Sequence, residues 1–209
     1  MLHIEALPEG LLPVLWTLME LPVLREHALV GGTALALRFG HRVSVDIELF
    51  TTDEMHTPSV IDELIVSFGD RFSYRRDQQA KWAIFGYIDG IKIDIVKFPH
   101  PRIGKIEEVN GIRSYADMDI APMKIEAILH RGKKKDFFDM ALLIENHGLE
   151  RILQWHQRKY PNQGIPISIP RALTYFVDAE ESEDSVSLIS QTWEGVKDTI
   201  QTAVRHHVR

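Results

Sequence analysis

VGGTALALRFGHRVSVDIELF, at residues 30–50, contains the elements around which the rest of the chain is arranged. Paired glycines, Gly31 and Gly32, precede TALALRFG, whose apolar spacing and closing glycine predict a short helix. The following SVDIELF alternates apolar and polar side chains, which predicts a strand with one buried face. Asp46 and Glu48 then project together from the opposite face, so this strand carries two carboxylates that its core does not need.

A second predicted strand carries a third carboxylate. Residues 82–98, WAIFGYIDGIKIDIVKF, are two β-rich runs separated by Asp89-Gly90, a dipeptide typical of a two-residue hairpin turn. In the second run three isoleucines share one face, so Lys92 and Asp94 share the other. We therefore expect Asp94 to join the same sheet as the first two acids.

The chain divides into an α/β part and a helical part. Its 209 residues suffice for one sizeable domain, or for a domain with a helical extension. We predict an α/β (α+β) fold with a core at residues 1–115 and a helical region at residues 116–209. Helices are predicted at residues 7–24, 33–40, 58–69, 117–132, 133–148, 149–161, 171–180 and 185–209, and a loop at residues 162–170.

The composition excludes several classes of function. Apolar residues make up 44% of the chain, but no apolar run is long enough to span a membrane, and the N-terminus does not resemble a secretory signal. The absence of cysteine excludes disulfides, thiol catalysis and cysteine-ligated zinc, and fits a cytoplasmic protein. The net charge of −6 provides no overall basic field, so we expect neither a membrane nor DNA as a partner.

The three acids suggest a metal site. Carboxylates that converge on one face of a sheet repel one another, and a divalent cation relieves that repulsion. Their oxygens suit Mg²⁺ or Mn²⁺, which keep positions open for water and phosphate oxygens. Glycines before a helix let a phosphate approach backbone N–H groups at the positive end of the helix dipole. A half-exposed strand with one polar face is the alternative, and spacing alone leaves both open.

The order of these motifs resembles the AbiEii-like nucleotidyltransferases, a branch of the DNA polymerase β-type nucleotidyltransferase superfamily. That superfamily has a glycine turn before a helix, then a strand with two acids, then a later strand with a third acid. The AbiEii-like branch adds a helical lysine and a K-D-x-x-D pattern, both present in DIAPMKIEAILHRGKKKDFFDMALLIE. The resemblance covers residues 25–147. It implies the nucleotidyltransferase fold, a small mixed sheet flanked by helices, with a helical C-terminal region.

The resemblance also implies roles for individual residues. The implied catalytic residues, which are also the implied metal ligands, are Asp46, Glu48 and Asp94. The implied nucleotide-binding residues are Gly31, Gly32, Thr33, Lys124, Lys135, Asp136 and Asp139. Asp139 lies one helical turn from Asp136, so holding Lys124 or Lys135 in position is a second possible role for it.

For three features of the sequence, two interpretations remain open. Thr33 suits a phosphate contact or the N-cap of the following helix. His41 and Arg42 suit a phosphate contact or a solvated loop. The basic run RGKKKDFFDM, at residues 131–140, suits attraction of a triphosphate or an RNA backbone, or a solvated turn in which Asp136 caps the next helix.

The implied activity is transfer of a nucleotidyl group from an NTP to an acceptor hydroxyl with Mg²⁺ or Mn²⁺. The implied acceptor is RNA, tRNA or a protein, and the implied setting is a toxin–antitoxin or phage-defence system with a cognate antitoxin. The second acid is Glu48, where the family usually has aspartate, and the extra methylene moves the carboxylate by roughly an ångström. The alternative is a degenerate member that binds nucleotides or a partner without catalysis.

Overall fold

The computed structural model describes residues 2–75, 80–162, 164 and 168–208. The chain forms two compact units. The sheet unit comprises Met1–Gly40, Ser44–Pro101 and Lys105–Tyr115. The helical unit comprises His41–Val43, Arg102–Gly104 and Ala116–Arg209. Two three-residue segments that precede residue 105 therefore belong with the C-terminal helices.

The sheet unit contains a mixed sheet that has seven strands within the described residues. The strands are β1 (Ala28–Leu29), β2 (Ile47–Thr51), β3 (Phe72–Tyr74), β4 (Ala83–Ile88), β5 (Ile91–Lys97), β6 (Glu107–Val109) and β7 (Ile112–Ser114). Their order across the sheet is β3-β4-β5-β2-β1-β7-β6. The β2–β5 and β1–β7 pairs are parallel, and the other neighbouring pairs are antiparallel. This mixed sheet, together with the helices given below, confirms the predicted fold class.

The predicted hairpin is present between β4 and β5. Asp89 and Gly90 have φ angles of 52° and 79°, both in the left-handed region that a tight hairpin turn with two central residues requires. The register pairs Ile88 with Ile91 directly across the turn. In β5, Ile93 and Ile95 are fully buried, as the alternation predicted.

In the described part of the sheet unit there are three α-helices: α1 (Leu11–Glu20), α2 (Gly31–Phe39) and α3 (Thr57–Phe68). The predicted helix at residues 7–24 is too long, because Gly10 precedes α1 in a left-handed conformation and Pro22 begins a separate 3-10 turn. The short helix after the paired glycines is confirmed and ends before Gly40. Helix α2 is buried along most of its length, which fixes its first turn against the sheet.

Strand β2 starts later than its alternation predicted. Ser44 donates its backbone N–H to the carbonyl oxygen of Ala6, so this part of the chain follows the N-terminus rather than the sheet. Val45, predicted to face the core, is 53% exposed. The strand begins at Ile47, and Asp46 therefore lies in the loop that leads into it.

The helical unit contains α4 (Asp117–His130), α5 (Lys134–His147), α6 (Leu149–Lys159), α7 (Ile169–Leu173), α8 (Val177–Glu180) and α9 (Trp193–His207). An aromatic cluster forms part of its core. The ring centroid of Phe137 lies 5.1 Å from that of Phe176 and 5.8 Å from that of Trp193. No helix among the described residues is long and apolar enough to cross a membrane.

Two helix predictions in the C-terminal part are wrong. The predicted helix at 171–180 is divided between α7 and α8. The predicted helix at 185–209 begins only at Trp193, because the residues before it run beside the segment His41–Val43. There Val43 N–H donates to the carbonyl oxygen of Val186 over 2.9 Å. The predicted loop at 162–170 lies partly outside the described residues, and its last two residues begin α7.

Candidate functional site

Two of the three predicted acids are neighbours across a strand pair. Glu48 on β2 and Asp94 on β5 are direct partners in the parallel register. Paired strands lie about 4.8 Å apart, and partners in register project from the same face of the sheet. The Asp94 side chain is only 14% exposed, so this pair of carboxylates lies close together in a mostly buried setting.

Gly31 makes room for the Glu48 carboxylate. A Cβ placed on Gly31 would lie 1.7 Å from Glu48 Oε2, and the Gly31 φ of +69° is unfavourable for residues with a side chain. Val30 N–H also donates to the Glu48 carbonyl oxygen over 2.9 Å. The carboxylate therefore lies at the first turn of α2, where the helix dipole favours negative charge.

Thr33 connects helix α2 to the loop that carries Asp46. Its hydroxyl oxygen lies 2.9 Å from Ser44 Oγ and donates a hydrogen bond to the backbone carbonyl oxygen of Asp46. The N-cap of α2 is Val30, so the interpretation of Thr33 as the cap is wrong. The structure instead gives Thr33 a role in positioning Asp46, and its contact with phosphate stays a prediction.

Lys92 contacts the third acid. Its Nζ donates to Asp94 Oδ2 over 2.6 Å. Burial lowers the pKa of Lys92, but the hydrogen bond and attraction of Asp94 more than offset this, and the net pKa is raised. Asp46 and Glu48 contribute to the same attraction. All three predicted acids therefore act electrostatically on one lysine.

The donor set fits a hard divalent cation, although the side chains do not enclose one. Among the described residues, no three histidine, aspartate or glutamate side chains are grouped closely enough to hold a metal ion. Asp94 Oδ1, however, is buried and has no hydrogen-bond partner in the described part of the chain. A buried carboxylate oxygen in this state is unfavourable unless another group binds it. Metal binding by Asp46, Glu48 and Asp94 stays a prediction.

Aromatic side chains extend the same face of the sheet. Phe85 is the partner of Asp94 in the β4–β5 register, and Tyr87 is the partner of Lys92. Both rings are partly exposed, 36% for Phe85 and 50% for Tyr87. They line a pocket of about 300 Å³ with Ser73, Tyr74, Arg75, Gly86 and Lys92. The acids thus lie beside an open, partly aromatic surface.

Lys124 and Asp136 lie in an ion network of the helical unit. Lys124 Nζ lies 2.6 Å from Asp139 Oδ2 and 3.2 Å from Asp136 Oδ1, and the three side chains are buried. Arg131 also contacts Asp136 over 3.1 Å. Burial raises the pKa of Asp136, but attraction by Lys124 and Arg131 outweighs it and lowers the pKa below its usual value. The predicted role of Asp139 in holding Lys124 fits this geometry.

Asp139 also binds the segment that includes His41 and Arg42. Arg42 makes a bidentate contact, with Nε 2.7 Å from Asp139 Oδ1 and Nη2 2.8 Å from Oδ2. His41 Nε2 lies 2.8 Å from the same Oδ1. Both side chains are buried, so the interpretation of a solvated loop is wrong. The cationic partners hold the pKa of Asp139 well below its usual value despite complete burial.

Some side chains of the basic run at residues 131–140 form ion pairs within the protein. Lys134 Nζ lies 2.7 Å from Asp184 Oδ1, and the Lys134 side chain is 11% exposed. The N-cap of α5 is Lys133, so the interpretation of Asp136 as a cap is wrong. Lys135 is half-buried, and its predicted contact with nucleotide stays a prediction.

The sequence contained signals for two residues that we did not place in the site. Lys92 lies two residues before Asp94 on a strand, a spacing that puts both side chains on one face. Ser44 lies two residues before Asp46, and its buried hydroxyl bonds Thr33. The first was visible from alternation, whereas the second depends on how the loop folds back on α2.

Comparison with known proteins assigns the chain to a family. The family described as nucleotidyl transferase AbiEii toxin, type IV TA system, matches residues 15–204. The chain belongs to the AbiEii nucleotidyltransferase family. This confirms the family resemblance predicted from the sequence, and it supports a transferase connected with toxin–antitoxin systems.

Individual relatives agree with the AbiEii assignment. The chain is 35% identical over 198 residues to the uncharacterized protein aq_aa25 of Aquifex aeolicus, covering 91% of this chain and 92% of the relative. A nucleotidyltransferase crystal structure from H. pylori aligns with a TM-score of 0.57 at 15% identity, over 98% of this chain and 92% of that one. JHP933 from Helicobacter pylori aligns with a TM-score of 0.54 at 15% identity, covering 98% and 88%. The two structures support the fold.

Proposed function

We propose that this AbiEii-family protein transfers a nucleotidyl group from an NTP to an acceptor hydroxyl with a divalent metal ion. The observation that carries the proposal is the pairing of Glu48 and Asp94 in register on adjacent parallel strands. This arrangement places two metal-binding groups beside the first turn of a helix, which is suited to a phosphate.

The three acids share one part in the proposed reaction, and Asp94 has a second. Asp46, Glu48 and Asp94 would hold Mg²⁺ or Mn²⁺, which supplies charge stabilisation at the phosphoryl oxygens and acidifies the attacking hydroxyl. The acceptor oxygen forms a bond to the α-phosphorus, and the bond to the leaving pyrophosphate breaks. Asp94 is the proposed acceptor of the hydroxyl proton, directly or through the metal, because its buried Oδ1 has no partner among the described residues.

The triphosphate is proposed to bind at the start of α2. Gly31 and Gly32 allow close approach of the backbone, and Thr33 holds the loop that carries Asp46. Lys124 is retained as a proposed phosphate contact, with Lys135 as a second cation. The two carboxylates that bind Lys124 would then set the direction of its ammonium rather than touch the nucleotide.

The proposed setting is the cytoplasm of a cell that also makes a cognate antitoxin. An RNA, a tRNA or a protein would supply the acceptor hydroxyl. The second candidate function is a nucleotide-binding or interaction module without catalysis. It is favoured by the position of Glu48, whose carboxylate occupies space against Gly31 that a phosphate would approach.

Incubation of the protein with labelled NTP, total RNA and Mg²⁺ or Mn²⁺ tests the proposal. We expect label transfer to RNA or protein, and its loss in Asp46→Ala. Asp53→Ala is the matched control, since Asp53 is an exposed acid in the loop after the same strand. Nucleotide binding without transfer under either metal would support the module and contradict the enzyme.

A further inference from the structure

Lys92 lies beside the three acids, although it is not part of any motif that carries the family resemblance. Its ammonium bonds Asp94, and its side chain is 44% exposed at the edge of the acid group. A lysine ammonium that donates to a carboxylate over 2.6 Å is positively charged at neutral pH. We infer that Lys92 is a positioning residue that holds Asp94 when no metal is bound and competes with the divalent cation for that carboxylate.

The contact between Lys92 and Asp94 is the one that a bound metal ion would have to replace. Lys92 Nζ binds Asp94 Oδ2, while Oδ1 of the same carboxylate is buried without a partner in the described residues. A divalent cation bound by Asp94 would lie within a few ångströms of this ammonium, where like charges repel strongly. The metal therefore either displaces the ammonium or binds in spite of it. This inference rests on the proposed metal-dependent function.

The structure offers a place for the displaced side chain. Lys92 and its register partner Tyr87 both line the pocket of about 300 Å³ on the β3–β4–β5 side of the sheet. A lysine stem is long and flexible, so its charged end can move into this open pocket without a change in the strand. Lys92 would then control metal affinity through a side-chain movement alone.

Removal of the charge is expected to strengthen metal binding. Lys92→Gln keeps a long polar side chain but removes the ammonium group, the positive charge that competes with the metal for Asp94. We expect the Kd for Mn²⁺ alone to fall by about tenfold or more. Lys92→Arg keeps the charge and is expected to stay within about threefold of the wild type.

The test is Mn²⁺ binding to the full-length protein without nucleotide, measured by electron paramagnetic resonance of the unbound ion. Lys97→Gln is the matched control, because it removes one charge from the same strand where Lys97 pairs with Glu54. We expect its Kd for Mn²⁺ to stay within about threefold of the wild type. Lys97 lies three residues beyond Asp94 on β5, about 10 Å at 3.3 Å per residue, and surface charges that far apart are largely screened. Circular dichroism melting verifies that each variant is folded.

The outcomes separate this inference from the proposed function. Equal or weaker Mn²⁺ binding by folded Lys92→Gln, when the wild type binds Mn²⁺ and transfers label, overturns the inference alone. An equal gain in Lys97→Gln also overturns it, because the effect would then be general electrostatics. Failure of both the wild type and Lys92→Gln to bind Mn²⁺ overturns both, whereas Mn²⁺ binding without label transfer overturns the proposed reaction alone.

Discussion

His27 is expected to make the stability of this protein depend on pH between about 6.5 and 4. It is 3% exposed, and neither ring nitrogen has a hydrogen-bond partner among the described residues. Burial, and then the nearby Arg113 guanidinium, lowers its pKa from 6.5 to about 4. The folded state therefore keeps the imidazole neutral at a pH where the unfolded chain is already protonated.

The magnitude follows from the pKa difference. A shift from 6.5 to about 4 at about 1.4 kcal/mol per unit corresponds to roughly 3 kcal/mol in the free energy of unfolding. The unfolded state binds more protons in this range, so stability is lost as the pH falls through it. Between pH 7.5 and 5.0 the expected loss from His27 alone is about 2 kcal/mol.

The assay compares the wild type with His27→Leu, a residue of similar size that does not titrate. Urea denaturation followed by circular dichroism at pH 7.5 and 5.0 gives the free energy of unfolding of each protein. The difference between the two proteins should change by about 2 kcal/mol across this interval in favour of the leucine variant, while effects of other acids cancel. A difference that stays constant with pH would refute the reasoning.

Two further substitutions test the packing of the site and of the ion network. Gly31→Ala would place Cβ 1.7 Å from Glu48 Oε2. We expect loss of nucleotidyl transfer and a Tm lower by about 5 °C or more in a melting experiment, whereas an unchanged Tm would show that the contact is absent. Asp139→Asn leaves Arg42 and Lys124 buried with one negative charge fewer. We expect about 3–5 kcal/mol of destabilisation in urea denaturation, and a loss below about 1 kcal/mol would contradict a buried network.

The β4–β5 hairpin and helix α2 were predictable because their signals are local. Asp89-Gly90 specifies a turn from two residues, and the paired glycines with Gly40 bracket α2. Alternation predicted the face on which each acid lies, whereas the register that puts Asp94 opposite Glu48 is visible only in the structure. Predictions of this kind succeed because neighbouring residues along the chain determine them.

Distant contacts explain most of what the sequence did not predict. The start of β2 depends on a hydrogen bond between Ser44 and Ala6, and the non-helical segment before α9 depends on His41–Val43. The K-D-x-x-D pattern was recognised, but the burial of Asp139 depends on Arg42 reaching it from far away in sequence. A pattern of neighbouring residues cannot predict contacts between residues that are far apart in the sequence.

The parallel pairing of the central strands also bears on how the protein becomes active during synthesis. Glu48 cannot acquire its neighbour Asp94 until the ribosome has completed the β4–β5 hairpin, and β1 gains its parallel partner only when Ser114 has been made. Pairings that are remote in sequence form late, because loop closure must come before they stabilise anything. A nascent chain that ends before β5 therefore carries two of the acids and the glycine turn without the third acid, and one that ends before β7 carries all three acids without a complete sheet to hold them.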